Sequence, residues 1–180
     1  MATTTARLTI DDFEQLPDEM AEGHELVDGE LVVVSGNNLE HNSIRDWAAA
    51  LLVPFVRERH LGKVIGEQEY DFDGNAHGPD LSFFGPEKLA MVERAKRVQR
   101  FVPDLAIEIS SPNDTLQSLV RKKDRYRKCG TLEVWIISPD SREIYVYSER
   151  GNQILDQDAE LSTPLIPGFL IRVKKLFEEM

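Results

Sequence analysis

Two acidic residues occupy positions where their chemistry could matter. Glu108 interrupts the apolar run "LAIEI" (105–109), and Asp80 follows Pro79 at the start of the strand-like stretch "LSFF". A carboxylate inside a buried strand costs several kcal/mol unless a partner compensates for it. Two carboxylates on adjacent strands form a hard oxygen site suited to Mg²⁺ or Mn²⁺. Such an ion could polarise a phosphodiester and lower the pKa of a bound water.

Each carboxylate also has an ordinary structural interpretation. Asp80 after a proline is a common turn-capping residue, and this would be the preferred interpretation if it stood alone. Glu108 could pair with a buried arginine or lysine, and spacing alone does not separate that possibility from catalysis.

Other catalytic and binding motifs are missing from the sequence. It contains no GxxxxGK[ST] or GxGxxG phosphate loop and no GxSxG elbow. The single cysteine, Cys129, excludes an internal disulfide and a CxxC zinc site. The four histidines (His24, His41, His60 and His77) are scattered without zinc-ligand spacing. The acidic pair is therefore the main candidate for chemistry.

The composition is that of an ordinary globular protein. The 180 residues suit a single domain, with 41% hydrophobic and 29% charged residues. No apolar run approaches the roughly 18–20 residues that span a membrane. The acidic start has no long apolar core, so we expect no signal peptide, no membrane association and a cytoplasmic location.

The net charge of −11 argues against nonspecific coating of nucleic acid, because phosphate attraction needs surplus Lys and Arg. However, "RAKRVQR" (94–100) and "RKKDRYRK" (121–128) together hold ten of the 21 basic residues, and they flank the Glu108 strand. They are interpreted either as two solvated helix faces or as surfaces that receive a phosphate backbone.

Periodicity and turn signals predict an α/β or α+β domain with a mixed sheet and a strand–helix–strand crossover at 104–137. Asp28-Gly29 predicts a tight hairpin, and Pro54 should kink or end a long helix. The predicted elements are a short helix capped by Thr9, a hairpin at 24–34, a long helix from 38 to 60, strands at 63–72 and 81–84, a short helix at Pro86, a strand at 104–110, a helix at 115–129 capped by Asp114, a hairpin turning at 139–141, and a final strand and short helix.

Seven ordered motifs resemble the Uma-type restriction endonuclease family of the PD-(D/E)xK nuclease superfamily. They are "HELVDGELV", His41 at the start of the long helix, "GPDLSFF", "VPDLAIEISSPND", "LVRKKDRY", "CGTLEVWIISPD" and "TPLIPGFLIRV". The resemblance implies a restriction-endonuclease-like fold, with a mixed central sheet flanked by helices and an N-terminal β-hairpin. It implies one domain over 1–180: helix and hairpin at 8–35, a nuclease-like core at 38–150, and a strand and short helix at 160–180.

The resemblance also implies a set of site residues. Asp80 would match the metal-binding aspartate, and Glu108 the second acidic ligand, with the Ile109 carbonyl as a further ligand. Most of the superfamily has a lysine two residues after that acid, where this sequence has Ser110. The family's lysine lies on the next helix, at Lys122.

One alternative and two further residues complete this set. Lys123 is an alternative to Lys122, because at about 100° per residue the apolar face of that helix is centred almost on Lys123. Glu25 and His41 also match family positions. Glu25 would otherwise be a solvated charge at a strand edge, and His41 would otherwise help to cap its helix.

The resulting hypothesis is a metal-dependent endonuclease that hydrolyses phosphodiester bonds of DNA with Mg²⁺ or Mn²⁺. A homodimer is the assembly that the superfamily suggests. The alternative is a catalytically silent interaction or regulatory module on a nuclease fold, which the acidic net charge favours. A third possibility is hydrolysis of a different phosphoester.

Overall fold

The computed structural model describes residues 7–34, 38–112 and 114–178. The predicted segment ends at 35 and 180 lie outside these ranges. The helices are α1 (Ile10–Glu14), α2 (Asp18–Ala21), α3 (Leu39–Glu58), α4 (Pro86–Leu89) and α5 (Leu116–Lys128), followed by a 3-10 helix at Val173–Phe177. The strands are β1 (His24–Val27), β2 (Glu30–Val33), β3 (Lys63–Gly66), β4 (Glu69–Asp71), β5 (Ala76–His77), β6 (Leu81–Phe84), β7 (Val98–Gln99), β8 (Leu105–Ile109), β9 (Glu133–Ser138), β10 (Glu143–Ser148), β11 (Gly151–Leu155), β12 (Glu160–Ser162) and β13 (Leu170–Arg172).

A six-stranded mixed sheet with the order β11-β10-β9-β8-β6-β3 forms the centre of the fold. Its neighbouring strands are antiparallel except for β8 and β9, which run parallel and are joined by α5. A parallel pair needs a crossover of this kind, because the chain must return to the same end of the sheet. The predicted mixed sheet and the crossover at 104–137 are confirmed.

The side chains of β8 alternate between two buried layers. Leu105, Ile107 and Ile109 pack in the layer that contains the apolar side of α3. Ala106 packs on the opposite face in a layer with Tyr126 of α5, and Glu108 bonds to the same tyrosine. Because successive strand residues point to opposite faces, Glu108 lies within an apolar run without entering the α3 layer.

A second, five-stranded sheet carries the N-terminal hairpin and has the order β2-β1-β5-β4-β7. The hairpin turns at Asp28 and Gly29, whose φ angles are 51° and 83°. Positive φ at both central residues is the requirement of a type I′ turn, which confirms the Asp-Gly hairpin. Strand β1 also pairs with β5, through Leu26 and Ala76.

Two strand predictions are corrected by the structure. The stretch 63–72 is two strands in different sheets, because Glu67 adopts a left-handed φ of 52° and breaks the run between β3 and β4. The tail contains a pair of strands, β12 and β13, where one was expected. The periodicity and turn signals did not predict β5, β7 and β11. Of these strands, β5 and β7 are only two residues long.

Two helix predictions are also corrected. The segment 94–100 is a turn followed by β7, so the interpretation as a helix face applies to 121–128 alone. Helix α5 is capped by Thr115 in a reciprocal capping box with Ser118, while Asp114 accepts a hydrogen bond from the Ser111 amide. Helix α3 continues through Pro54 to Glu58, so this proline does not end the helix. No helix within the described ranges is long and apolar enough to cross a membrane.

Candidate active site

The six positions implied by the resemblance line one cavity of about 710 Å³. They come from five parts of the fold: β1, α3, the residue before β6, the end of β8, and α5. The residues are Glu25, His41, Asp80, Glu108, Ile109 and Lys122. Glu108 and Ile109 share β8, and each of the other four residues depends on a different part of the fold for its position.

Asp80 is held from two directions through one oxygen. Its Oδ2 accepts a hydrogen bond from the Ile109 amide at 2.7 Å and lies 3.2 Å from His41 Nε2. Burial opposes protonation of His41, but the hydrogen bond and charge of Asp80 outweigh it and raise the His41 pKa. His41 also takes part in the helix cap, through its backbone amide and Asn38 Oδ1. His41 therefore has one contact within the candidate site and one within the helix cap.

Glu108 is almost completely buried and is held by α5. Its Oε1 accepts a hydrogen bond from the Tyr126 hydroxyl at 2.6 Å, and its Oε2 lies 3.4 Å from Lys122 Nζ. Burial raises the pKa of Glu108, the positive charge of Lys122 opposes the rise, and the negative charges of Asp80 and Glu25 add to it, so that the pKa is about 7. The carboxylate thus has the cationic partner that a buried charge requires.

Lys122 bridges two carboxylates. Its Nζ is 3.0 Å from Glu25 Oε1, closer than it is to Glu108. Burial would raise the Glu25 pKa, but the hydrogen bond from His77 and the positive charge of Lys122 lower it to about 2. Burial disfavours the charged form of Lys122, yet Glu108 and Glu25 outweigh this and raise its pKa. The centre of the site is therefore an ammonium held between acidic groups.

Lys123 points elsewhere. Its Nζ pairs with Asp124 and lies 4.9 Å from the centroid of the Tyr147 ring of β10. The apolar side of α5 that is centred on this residue thus rests against the sheet, and the neighbouring lysine, about 100° around the helix, faces the carboxylates. Of the two lysines, only Lys122 lines the cavity.

Comparisons with known proteins identify the family and the fold of this chain. The family described as Uma2, putative restriction endonuclease, matches residues 10–174. The chain belongs to the Uma2 family. A crystal structure of a putative nuclease from Anabaena variabilis has the same fold, with a TM-score of 0.83 and 23% identity over 94% of this chain and 97% of that one. No curated protein matches the sequence.

The donor set of this Uma2 chain suits a hard divalent cation. Asp80 and Glu108 supply carboxylate oxygens, and the Ile109 backbone lies directly beside Asp80. Within residues 7–34, 38–112 and 114–178, no three or more His, Cys, Asp or Glu side chains form a metal cluster by themselves. Mg²⁺ commonly takes one or two carboxylates and completes its shell with water and substrate oxygens, so two carboxylates are sufficient.

Three residues of the site were not singled out from the sequence. Tyr126 lies four residues after Lys122, and this spacing, which places both residues on one side of α5, is the signal that could have found it. His77 and Arg125 join the site through contacts between residues 48 to 97 positions apart, for which the sequence holds no local signal.

Fewer side chains of the basic segments 94–100 and 121–128 are available to contact a phosphate backbone than the composition suggests. Within the described residues, Arg97 and Arg100 pair with aspartates, Lys122, Lys123 and Arg125 pair with acidic side chains, and Arg127 donates to backbone carbonyls. The same part of the chain shows no ion pair for Arg94, Lys96, Arg121 and Lys128. Lys96 lines the active-site cavity, and Arg121 lines an adjoining pocket that shares Lys122.

Proposed function

We propose that this Uma2 protein is a metal-dependent endonuclease that hydrolyses phosphodiester bonds of DNA, with Asp80, Glu108 and Lys122 as its central residues. The observation that supports the proposal most directly is the single cavity in which a carboxylate directly before β6 and a carboxylate on β8 meet a charged lysine. Family membership supports the nuclease class, and the carboxylate pair supports the dependence on a divalent cation.

Asp80, Glu108 and the Ile109 carbonyl are the groups that would hold Mg²⁺ or Mn²⁺. The ion would supply polarisation of the phosphodiester and a water of lowered pKa. His41 donates to Asp80 and fixes the orientation of this carboxylate, as outer partners of metal ligands commonly do. Tyr126 does the same for Glu108 through its hydroxyl.

Lys122 acts as a positive charge rather than as a base. Its raised pKa keeps the ammonium protonated, so it cannot accept a proton from water near neutral pH. A fixed ammonium beside the ligands would orient the attacking water and stabilise negative charge on the phosphate oxygens. Glu25 holds this ammonium at 3.0 Å and therefore supports the lysine.

Contact with the DNA backbone would fall to the basic residues for which the described part of the chain shows no ion pair. Lys96 and Arg121 are the two of these that line the cavity and its neighbouring pocket. Removing both charges with Lys96→Gln and Arg121→Gln should weaken DNA binding and reduce the slope of log affinity against log salt by about 2. The matched control is Lys174→Gln, which removes a lysine near Asp158, away from the cavity.

The direct test is cleavage of plasmid and branched DNA in Mg²⁺. Asp80→Asn, Glu108→Gln and Lys122→Met should each lower the rate by on the order of 100-fold or more. The matched controls are Lys123→Met and Glu133→Gln, the second being a buried carboxylate on β9 that bonds to Trp135. Cleavage that survives both Asp80→Asn and Glu108→Gln would refute the assignment.

The alternative function, a catalytically silent interaction module, is favoured by one observation. Glu108 already has a cationic partner and a hydroxyl donor, which is what a purely structural carboxylate requires. Magnesium titration by calorimetry distinguishes the two functions. The nuclease proposal expects a metal affinity that Asp80→Asn removes, and the alternative expects none. The homodimer suggested by the superfamily is tested by sedimentation.

A further inference from the structure

A buried histidine connects the active site to the surface. His77 in β5 is 3% exposed, and its Nδ1 lies 2.9 Å from Glu25 Oε2. On the other side of the ring, Nε2 lies 3.2 Å from Arg125 Nη1. Arg125 continues the chain outward, since its Nη2 is 3.1 Å from Asp28 Oδ1 at the hairpin turn. A line of hydrogen bonds therefore runs from Asp28 to the carboxylate that holds Lys122.

The two partners of His77 determine where its proton resides. A guanidinium only donates hydrogen bonds, so Nε2 must accept from Arg125 and carries no proton. Glu25, with a pKa of about 2, is ionised and only accepts, so Nδ1 must carry the proton. Both contacts require the same neutral tautomer. A doubly protonated ring would point an N–H group at a positively charged arginine.

We propose that His77, supported by Arg125, is a positioning residue that directs Glu25 Oε1 toward Lys122. Glu25 has two oxygens, and His77 occupies Oε2, which leaves Oε1 for the ammonium at 3.0 Å. Without the imidazole, the carboxylate is free to rotate, and Lys122 loses the shorter of its two carboxylate contacts. The inference rests on the proposed function, because it assigns this geometry to the orientation of the site lysine.

The surroundings of the ring make a clean substitution possible. Its centroid lies 6.0 Å from that of Phe72 and 5.8 Å from that of Tyr126. Phenylalanine at this position retains the aromatic contacts and removes both hydrogen bonds. Asparagine places an amide near the Nδ1 position, so it retains a donor toward Glu25. Comparison of His77→Phe with His77→Asn therefore separates the effect of losing the hydrogen bond to Glu25 from the effect of losing the aromatic packing.

The first test requires no activity. The ¹⁵N signals of the imidazole in the intact wild-type protein at pH 7 should show a protonated Nδ1 and an unprotonated Nε2. A ring protonated at Nε2, or at both nitrogens, would overturn the proposal. Because the measurement is made without DNA or metal, a negative result here is distinct from a failure of the nuclease assignment.

The second test uses Mg²⁺-dependent cleavage by folded variants. His77→Phe should lower kcat by about 10- to 100-fold with little change in KM, and His77→Asn should restore most of the loss. Tyr70→Phe is the control, because it removes a buried hydroxyl that bonds to Ser82 in the same aromatic layer. Wild-type kcat in His77→Phe, or equal losses in the Phe and Asn variants, would contradict the positioning function.

A third measurement covers the case in which the wild-type protein does not cleave DNA. The Glu25 carboxyl pKa, followed by ¹³C NMR, should rise clearly in His77→Phe, because the hydrogen bond from the ring helps to lower it. If His77→Phe does not fold, Arg125→Met serves instead, and it should raise the pKa of the His77 ring, because the charge of Arg125 helps to lower it. An unchanged Glu25 pKa in His77→Phe, or an unchanged His77 pKa in Arg125→Met, contradicts the proposal.

Discussion

Replacing Glu108 with glutamine should stabilise the protein while it abolishes activity. Glu108 is buried, and its pKa rises from 4.5 to about 7 in the folded state. Each pKa unit corresponds to about 1.4 kcal/mol, so above pH 7 the ionised carboxylate lowers the free energy of unfolding by roughly 3 kcal/mol. Glutamine has no charge to desolvate and still provides an oxygen for the Tyr126 hydroxyl. We expect Glu108→Gln to be more stable by up to this amount at pH 8.

The dependence on pH identifies the cause. An acid whose pKa is raised by folding binds more protons in the folded than in the unfolded state between pH 4.5 and 7. Its destabilising effect is complete above pH 7 and vanishes below pH 4.5. The advantage of the glutamine variant should therefore fall below about 1 kcal/mol at pH 5. Urea unfolding at both pH values, in buffer with a chelator, measures the difference without metal.

Glu25 provides the opposite case in the same site. Its pKa is lowered to about 2, so the ionised form stabilises the folded state above pH 4.5, and this contribution is lost as the pH falls toward 2. Glu25→Gln should lower the free energy of unfolding at pH 8, by up to roughly 3 kcal/mol. The two Glu→Gln substitutions on either side of Lys122 should thus change the free energy of unfolding at pH 8 in opposite directions. A Glu108→Gln variant that is less stable than wild type at pH 8, or a gain that does not depend on pH, would refute the reasoning.

Three further predictions concern the elements around the site. Tyr126→Phe leaves a buried oxygen of Glu108 without its donor and should cost about 1–3 kcal/mol in urea unfolding at pH 8, whereas a loss below 0.5 kcal/mol would show that the bond contributes little. Gly62→Ala places a Cβ 2.1 Å from the Phe84 carbonyl at a φ of +139°, so Tm should fall markedly, and an unchanged Tm would contradict the close approach. Ile44→Ala, in the fully buried side of α3, should cost about 2–5 kcal/mol, and a cost near that of a surface substitution would contradict its packing.

The central elements were predictable because their signals are local. The Asp-Gly hairpin, the strand around Glu108 and the helix that carries Lys122 follow from turn chemistry and periodicity. The family pattern then selects Asp80, Glu108 and Lys122, and the structure brings these residues into one cavity. Their functions remain predictions.

The parts that could not be predicted depend on long-range pairing. The contact between Glu25 and His77 results from the pairing of β1 with β5, which the structure shows through a single residue pair. Sequence periodicity cannot specify such a short contact. The break at Glu67 was missed because a left-handed glutamate leaves no trace in a pattern of apolar residues. The hydroxyl of Tyr126 was missed for a related reason, since helical spacing gives the direction of a side chain and not the partner of its terminal atom.

The alternation along β8 has a consequence for how this protein tolerates mutation. If β8 shifted by one residue in its pairing with the neighbouring strands, Glu108 would point into the layer that packs on α3. Its three aliphatic side chains would then point to the opposite face, toward α5. The apolar contacts of Leu105, Ile107 and Ile109 with the α3 layer therefore also fix where the Glu108 carboxylate lies along the sheet and which face it points to. The register of β8 is therefore required for folding even in a chain that has lost its activity. A silent descendant should keep this strand in place long after Lys122 has been replaced.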